Sequence, residues 1–587
     1  MWRTATVSLP FAVSPTSVAN LGAYVRDLYR LRFAHELAAG TLKPLIIPYS
    51  LLGTFILPIL YFSISHVNRP WLFRARYLLM AFIVAFNLSE TLGSSSANFA
   101  VAYAVGLMQA WGILWSGTLL IWMSPQFEAE RVERRKRSGS SVTTATVLDG
   151  SPGEDRTGNG HAALNGSAPN RKAHNSITSI GGAVNTKFHS GKGYQISLHD
   201  APDEDVARSL REGYEYYWQA YPADAPFSTR LEWSFDLVSS FRGTGWNWCV
   251  PILPRFAKAE KPLSSSAVDL ASIPLNTRQG FRRYKTGREW LRLQAVPMLI
   301  EYLVLDFLSV MMMKDPYFIF GPEVSKEFVA SAPQVLPFYL VMLPPYILFV
   351  YRGLVCFSAI LVAIDLIMTL SQMCCHFILG PRVLGTRAEL WHYPCVYGGF
   401  TANVLDKGMS GFWGGWWHQT FRTAFSAPGL WLSRRGYINP ASAQGKAIAG
   451  LLAFAQSGFL HSLGSVSCLP PSKWYLPPVF FLLCWVGALF QTASSGMLRG
   501  LGLKDKLPVW LRRAGNLGFA FAWLVYFQYL LNDDIARAGI WMLEPVPVSP
   551  LRAAGLGKPG DGWWRWDAPL FPRQWVGRRW WESGIAI

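Results

Sequence analysis

Apolar residues in this chain gather into long runs separated by polar connections, at 45–64, 77–88, 99–123, 295–312, 335–351, 354–379, 447–468, 479–494 and 517–531. Several approach the roughly 20 residues that a helix needs to cross a bilayer. The pattern predicts an all-α fold: a polytopic helical membrane protein with about eight to nine transmembrane helices and a disordered cytosolic insertion. One run is interrupted by Pro344 and Pro345. It predicts a broken or re-entrant helix, tolerated where protein or a cavity shields it. Treating that run as non-crossing keeps Arg382, Arg387, Lys407, Arg422, Arg434 and Arg435 in the cytosol, as the charge bias of loops requires.

The polar connections divide the chain further. Residues 1–123 form an N-terminal membrane region of three spans, preceded by a surface-lying stretch at 18–39 that mixes basic and apolar positions. Arg69, Arg74 and Arg76 mark one loop, and 89–98 carries no lysine or arginine, so the chain after Met123 is expected in the cytosol and the N-terminus in the lumen. Residues 124–228 are expected to be a disordered cytosolic insertion, because 138–191 is rich in Gly, Ser, Asn and Thr and poor in large apolar residues. Its histidines, His161, His174, His189 and His199, are irregularly spaced and read as solvated. Residues 229–292 form a cytosolic or interfacial segment: helical apolar spacing over 231–238 ends at the turn Arg242-Gly243-Thr244-Gly245-Trp246-Asn247-Trp248. Residues 293–531 make the membrane core. Residues 532–587 are a Trp/Arg-rich tail, Trp563-Trp564-Arg565-Trp566 and Arg578-Arg579-Trp580-Trp581, expected along the head groups.

Composition narrows the function classes. Of 587 residues 51% are hydrophobic and 14% aromatic, which excludes a string of soluble domains. The formal charge of +18 comes from basic residues between the spans, where anionic lipid accounts for them, so nucleic acid is not an expected partner. Seven cysteines show no metal spacing and no disulfide framework, and no metal is expected. No cleavable signal peptide is expected in the arginine-bearing first forty residues. Arg278, Arg282, Arg283, Lys285, Arg288 and Arg292 read as a juxtamembrane anchor, or as a rim that attracts a phosphate-bearing coenzyme.

Candidate chemistry sits in two short stretches. His461, in Ser457-Gly458-Phe459-Leu460-His461-Ser462, lies within an apolar run, where an ionisable ring is costly without a use or a partner. Its helical neighbours Ser457, Gly458, Gly464 and Ser465 are small, leaving a gap for a substrate, or else room for another helix to approach. About forty residues upstream stands Phe412-Trp413-Gly414-Gly415-Trp416-Trp417-His418-Gln419.

The upstream stretch resembles the Phe-Trp-Gly-Arg-Arg-Trp-His/Asn box of wax-synthase-like membrane-bound O-acyltransferases, and the downstream one resembles their Ser-Gly-x-x-His box, in the same order. The Arg242 to Trp248 turn is similar to one in fungal members. The resemblance covers roughly residues 391–491 and implies that His461 and His418 are the catalytic pair. Trp413, Trp416, Trp417, Ser457, Gly458 and Ser465 are then expected to bind substrate. Gly415 and Trp416 stand where the family box has two arginines, so the coenzyme contact would fall to Arg422 or Lys407. Acyl transfer from a thioester to an alcohol needs a base, an oxyanion donor and exclusion of water. His461 meets the first need, and His418 or the indole of Trp416 or Trp417 the second. The resemblance further implies an acetyltransferase of secondary-metabolite biosynthesis in the endoplasmic reticulum membrane. Acetyl-CoA would be the co-substrate, no cofactor would be bound, and the acceptor would be a lipophilic alcohol such as a terpenoid. Long-chain wax-ester or sterol acylation remains an alternative. So do a transporter or scaffold using the intramembrane Glu301, Asp306 and Asp365, and a hydrolase built on Ser457 or Ser465 with His461.

Overall fold

The computed structural model of the protein describes residues 20–137, 203–257, 266–331, 336–470, 472–567 and 571–587. The longer helices are α1 (Leu21–Ala38), α2 (Arg76–Gly93), α3 (Phe99–Gly117), α4 (Phe227–Ser239), α5 (Gly287–Met312), α6 (Pro345–Met373), α7 (Arg422–Arg434), α8 (Ala443–Ser467), α9 (Leu476–Gly500), α10 (Val509–Phe527) and α11 (Tyr529–Arg537). Side chains set several of their starts. Asn98 accepts from the amides of Ala100 and Val101, Thr286 from that of Glu289 and Ser442 from that of Gly445, each satisfying an N–H that the helix leaves open.

Among the described residues six helices are long and apolar enough to cross a membrane, and the pair α10 and α11, bent by 42°, makes a seventh. The expected eight to nine is too high for two reasons. The run at 45–64 is helical only over Tyr49–Ser63; at 1.5 Å per residue this is about 22 Å, short of the roughly 30 Å hydrocarbon layer. The run at 335–351 is not a span of its own. Pro345 occupies the first turn of α6, where its missing N–H and fixed φ are favourable, so the residues beyond the proline pair belong to the next span. Only the single turn Phe338–Val341 precedes it.

Contacts sort the connections onto two ends of the bundle. At one end Lys43 pairs with Ser94, Ser95 Oγ donates to Ser467 O at 2.7 Å, and Ile46–Ile47 pairs antiparallel with Ile585 and Ala586. At the other, His66 N–H donates to Gln126 Oε1 at 2.8 Å, Arg230 Nε to Ser63 O at 3.0 Å and Arg242 Nη2 to Cys395 O at 3.0 Å. The candidate box therefore shares its end with the 203–256 segment.

Of the insertion expected to be disordered, residues 138–202 lie outside the described residues, but its two flanks are ordered. Arg131–Lys136 pairs antiparallel with Tyr214–Gln219, and Glu204–Arg211 is helical. Val132, Tyr216 and Trp218 supply a buried apolar face that composition averaged over the whole insertion conceals. Buried Arg131 bonds Asp236 at 2.9 Å and also pairs with Glu232.

The intramembrane carboxylates separate. Asp306 is fully buried against Arg552 at 3.5 Å, and Arg552 also reaches Glu544, which takes Arg26 and Arg565 at 2.6 Å each. Asp306 is thus one member of a paired network, the arrangement a buried charge requires. Glu301 and Asp365 lie beside each other. The tail expected along the head groups is partly drawn inward by the same network: Trp566 Nε1 donates to Glu544 O at 3.1 Å, whereas Trp580 stays 82% exposed.

Candidate active site

The box residues Phe412–Trp416 form a π turn closed by Trp417 N–H donating to Phe412 O at 2.8 Å. This turn presents the indoles of Trp413, Trp416 and Trp417 together. Trp416 stacks on Tyr397 at 5.5 Å and Trp417 on Phe412 at 5.8 Å, while Trp413 meets Phe481 edge-on at 5.8 Å. The turn leaves no room for an arginine at Gly415, where a Cβ would lie 2.2 Å from Oδ1 of Asn403. Asn403 is itself fixed, donating to Gln279 O at 2.9 Å and Gly399 O at 2.8 Å. At Gly414 an added Cβ meets nothing within 4 Å.

Behind the box, Arg242 donates to the carbonyls of Pro394 and Cys395 at 3.2 and 3.0 Å. The two glycines of its turn have φ of 63° and 81°, the left-handed region in which a side chain is strained. A Cβ at Gly243 would also strike Trp248. The turn singled out from sequence thus holds the strand of loop that leads into the box.

His418 comes directly after the π turn and Trp417, and is packed edge-on to Phe421 at 5.6 Å. Its Nδ1 is buried without a hydrogen-bond partner. Burial, assisted by His461 and Arg242, pushes the His418 ring down to about 3, so the imidazole is neutral at physiological pH. His461 projects from α8. Its Nδ1 is 3.0 Å from the hydroxyl of Tyr103 on α3, and its ring stacks on Phe481 of α9 at 4.9 Å.

Both histidines line one cavity of about 1510 Å³ bounded by α6, α8, α9, α10 and α11. Trp413, Trp416, Trp417, Ser457 and Arg422 line it too. Three of the expected site residues do not. A Cβ on Gly458 would lie 2.7 Å from Pro478 Cα, so this position serves helix approach. Ser465 is buried and donates to Asp534. Lys407 donates to Asn403 Oδ1 at 3.2 Å, outside the cavity lining. Small residues beside His461 therefore mark where neighbours enter: Gly464 abuts Tyr103, Gly458 abuts Pro478, and only the Ser457 side opens on the cavity. Arg422 donates to Gly414 O and, at 2.7 Å, to Gln419 Oε1, so its guanidinium braces the box from the cavity wall. Among the basic residues ahead of α5, Arg282 pairs with Glu289, and Arg283 donates to Ile273 O and Pro274 O at 3.2 Å.

Sequence reasoning missed Tyr103, Phe481 and Asp534. The one signal for Tyr103 was a phenol in an otherwise apolar run; nothing in sequence set it opposite His461. Chemically, the cavity offers a neutral imidazole at His418, a second imidazole tied at Nδ1, and aromatic walls that exclude water. These are the ingredients of proton transfer in a dry site.

Residues 393–483 match the family described as membrane bound O-acyl transferase family. Over 327 residues the chain is 26% identical to the protein named Acetyltransferase ple2 of Rhodocybe pseudopiperita, covering 55% of this chain and 70% of that protein. No solved structure matches. The matched segment contains both histidines, the π turn and all of α8. The similarities and the apolar helices together support a multi-pass membrane acyltransferase.

Proposed function

We propose that this membrane-bound acyltransferase moves an acetyl group from acetyl-CoA to a hydroxyl of a lipophilic alcohol, of the terpenoid class, in the endoplasmic reticulum membrane. The observation that carries the reading is that His418 and His461 line a single, largely apolar cavity, with a ring nitrogen of His418 buried and unpartnered. A hydroxyl or carbonyl oxygen entering beside it would satisfy that nitrogen.

In this reading Nε2 of His461 takes the proton of the acceptor hydroxyl as its oxygen bonds to the thioester carbon. The tetrahedral oxyanion receives a hydrogen bond from neutral His418. The carbon–sulfur bond then breaks, and the proton passes from His461 to the departing thiolate of coenzyme A. Phe357, Phe412 and the box indoles keep water from the thioester.

Two further observations support the substrate classes. A cavity of about 1510 Å³ exceeds the roughly 300–1,000 Å³ of ordinary small-molecule sites, so it accommodates a polycyclic alcohol alongside an acyl-bearing arm. The relative is named an acetyltransferase, which favours acetyl over a long chain. Mass spectrometry of products from membranes holding the protein, with acetyl-CoA and palmitoyl-CoA offered in turn against terpenoid, sterol and fatty alcohols, tests the reading. Acetyl esters of a terpenoid alcohol are expected. Palmitoyl esters alone would reassign it to wax-ester or sterol acylation, and no ester with any pair would remove it.

A further inference from the structure

One face of α8 follows the cavity from its mouth to the histidine. Lys446, Gly450, Ala453, Ser457 and His461 all line it, at steps of three or four residues that set them one above another on a helix. Lys446 is exposed and the other four are half-buried, so the cavity reaches the surface at the lysine. α8 ends at Ser467, whose carbonyl accepts from Ser95 at one end of the bundle. Lys446, in the first turn, therefore lies at the other end, with the 203–256 segment. Trp485 of α9, whose Nε1 donates to Ala447 O at 3.0 Å, walls the stripe beside Gly450.

Charge along this cavity is one-sided. Among the described residues its lining holds two cationic side chains, Arg422 and Lys446, and no aspartate or glutamate. The Arg422 guanidinium is engaged by Gly414 O and Gln419 Oε1. The Lys446 ammonium makes no hydrogen bond or ion pair among the described residues. An uncompensated point charge on a flexible stem at the mouth attracts an anion, and suits a phosphate. The spacing fits one in particular. From Lys446 to His461 is 15 residues of α8, which span about 22 Å and, at roughly 100° per residue, bring the two side chains within about 60° of one face. The arm of coenzyme A between thiol and pyrophosphate runs through about 13 bonds of backbone length and extends to roughly 16 Å. The acceptor hydroxyl and thioester carbon at His461, and an ammonium–phosphate contact of about 3 Å at Lys446, take up the remainder.

We propose that Lys446 binds the pyrophosphate of the acyl donor at the mouth of the cavity, with the pantetheine arm laid along α8 and the thioester at His461. The inference rests on the reading of acetyl-CoA as donor, and it names the residue that receives the donor's charged end in place of Arg422 and Lys407. Lys446 is remote from the reacting atoms, so its contact is the same before and during the reaction. Such uniform binding acts on KM for the donor and leaves kcat alone. A phospholipid head group offers the same phosphate chemistry, and a donor that has the arm but no phosphate separates the two.

Lys446→Ala, Lys446→Glu and Lys446→Arg in the full-length protein test this, with turnover per membrane-inserted molecule measured against acetyl-CoA and against acetyl-pantetheine, which carries no phosphate. For acetyl-CoA, KM is expected to rise about 10-fold in Lys446→Ala, the loss of one charge-assisted hydrogen bond, and further in Lys446→Glu. Lys446→Arg should keep a near-normal KM, and kcat should stay within about twofold in all three. For acetyl-pantetheine KM should already be high in the unsubstituted protein and should not move in the variants. ADP should compete with acetyl-CoA, about 10-fold less well in Lys446→Glu, which reads the same contact even where acetyl-pantetheine turns over too slowly to measure. Unchanged KM for acetyl-CoA and unchanged ADP inhibition in Lys446→Ala and Lys446→Glu would overturn the contact and leave the acyl-transfer reading standing. An equal rise in KM for both donors would assign the lysine to cavity shape or a lipid head group, and overturns it as well. Failure of the unsubstituted protein to use acetyl-CoA at all would instead remove the reading on which it rests.

Discussion

Tyr103 and His461, 358 residues apart in the chain, meet with the phenol oxygen 3.0 Å from Nδ1, at the point where α3 crosses the small-residue face of α8. Gly464 makes the approach possible: a Cβ there would stand 2.7 Å from Tyr103 Cζ. One ring nitrogen of His461 is thereby held by the fold, and the other is left for chemistry.

His418 is neutral by burial, and its role is predicted to be that of a hydrogen-bond donor to the oxyanion rather than a proton carrier. Asn can donate a hydrogen bond; Leu cannot. His418→Asn should therefore keep a measurable fraction of activity, while His418→Leu should lose about 2.7–4 kcal/mol of transition-state stabilisation. Activity per inserted molecule of the two variants decides it, and equal loss in both would make His418 a proton carrier.

The contact of Gly415 with Asn403 predicts opposite outcomes at adjacent glycines. Gly415→Ala, with its Cβ 2.2 Å from Asn403 Oδ1, should cost about 1–3 kcal/mol as an overpacked substitution and lower the melting temperature of detergent-solubilised protein. Gly414→Ala meets nothing within 4 Å and should leave it unchanged. The same argument predicts that Gly415→Arg, which places there the arginine of the box this stretch resembles, yields less folded protein rather than a better enzyme.

How much of this is legible in the sequence depends on the range of the physics. Hydropathy is a property of each segment alone, so the spans can be read, and the proline pair marks a run that does not cross by itself. The two histidines can be read because each sits in a short motif. Whatever needs a partner from elsewhere cannot. Ser465 and Gly458 resemble substrate contacts because small residues beside a histidine look like a gap; that α3, α9 and α11 fill most of it is a tertiary fact. Lys407 misleads for the same reason, its ammonium being directed at Asn403. The ordered flanks of the insertion escape notice because a six-residue strand such as Tyr214–Gln219 gains its partner 80 residues away, across a stretch of unlike composition.

Acidification should act on stability through His392, which is stacked on Trp391 at 3.8 Å and pushed down to about 3 chiefly by burial. The unfolded chain takes a proton there below about pH 6.5, whereas the folded chain does so only near pH 3. The stability tied to a neutral His392 is therefore fully present above about pH 6.5 and is lost progressively as pH falls toward 3. In His392→Gln this contribution is absent. Its melting temperature should start lower through lost stacking, but it should fall less between about pH 7 and pH 5 than that of the unsubstituted protein. An equal or steeper fall would count against the buried neutral ring.

The central claim, that His461 is the base of acyl transfer, is tested most directly by the turnover of His461→Ala per membrane-inserted molecule, with acetyl-CoA and an accepted alcohol. The variant is expected to insert in normal amount, since the substitution leaves the apolar character of α8 intact, and to turn over roughly 10²–10⁴-fold more slowly. Near-normal turnover in a well-inserted His461→Ala variant would contradict it and return the residue to a packing role between Tyr103 and Phe481.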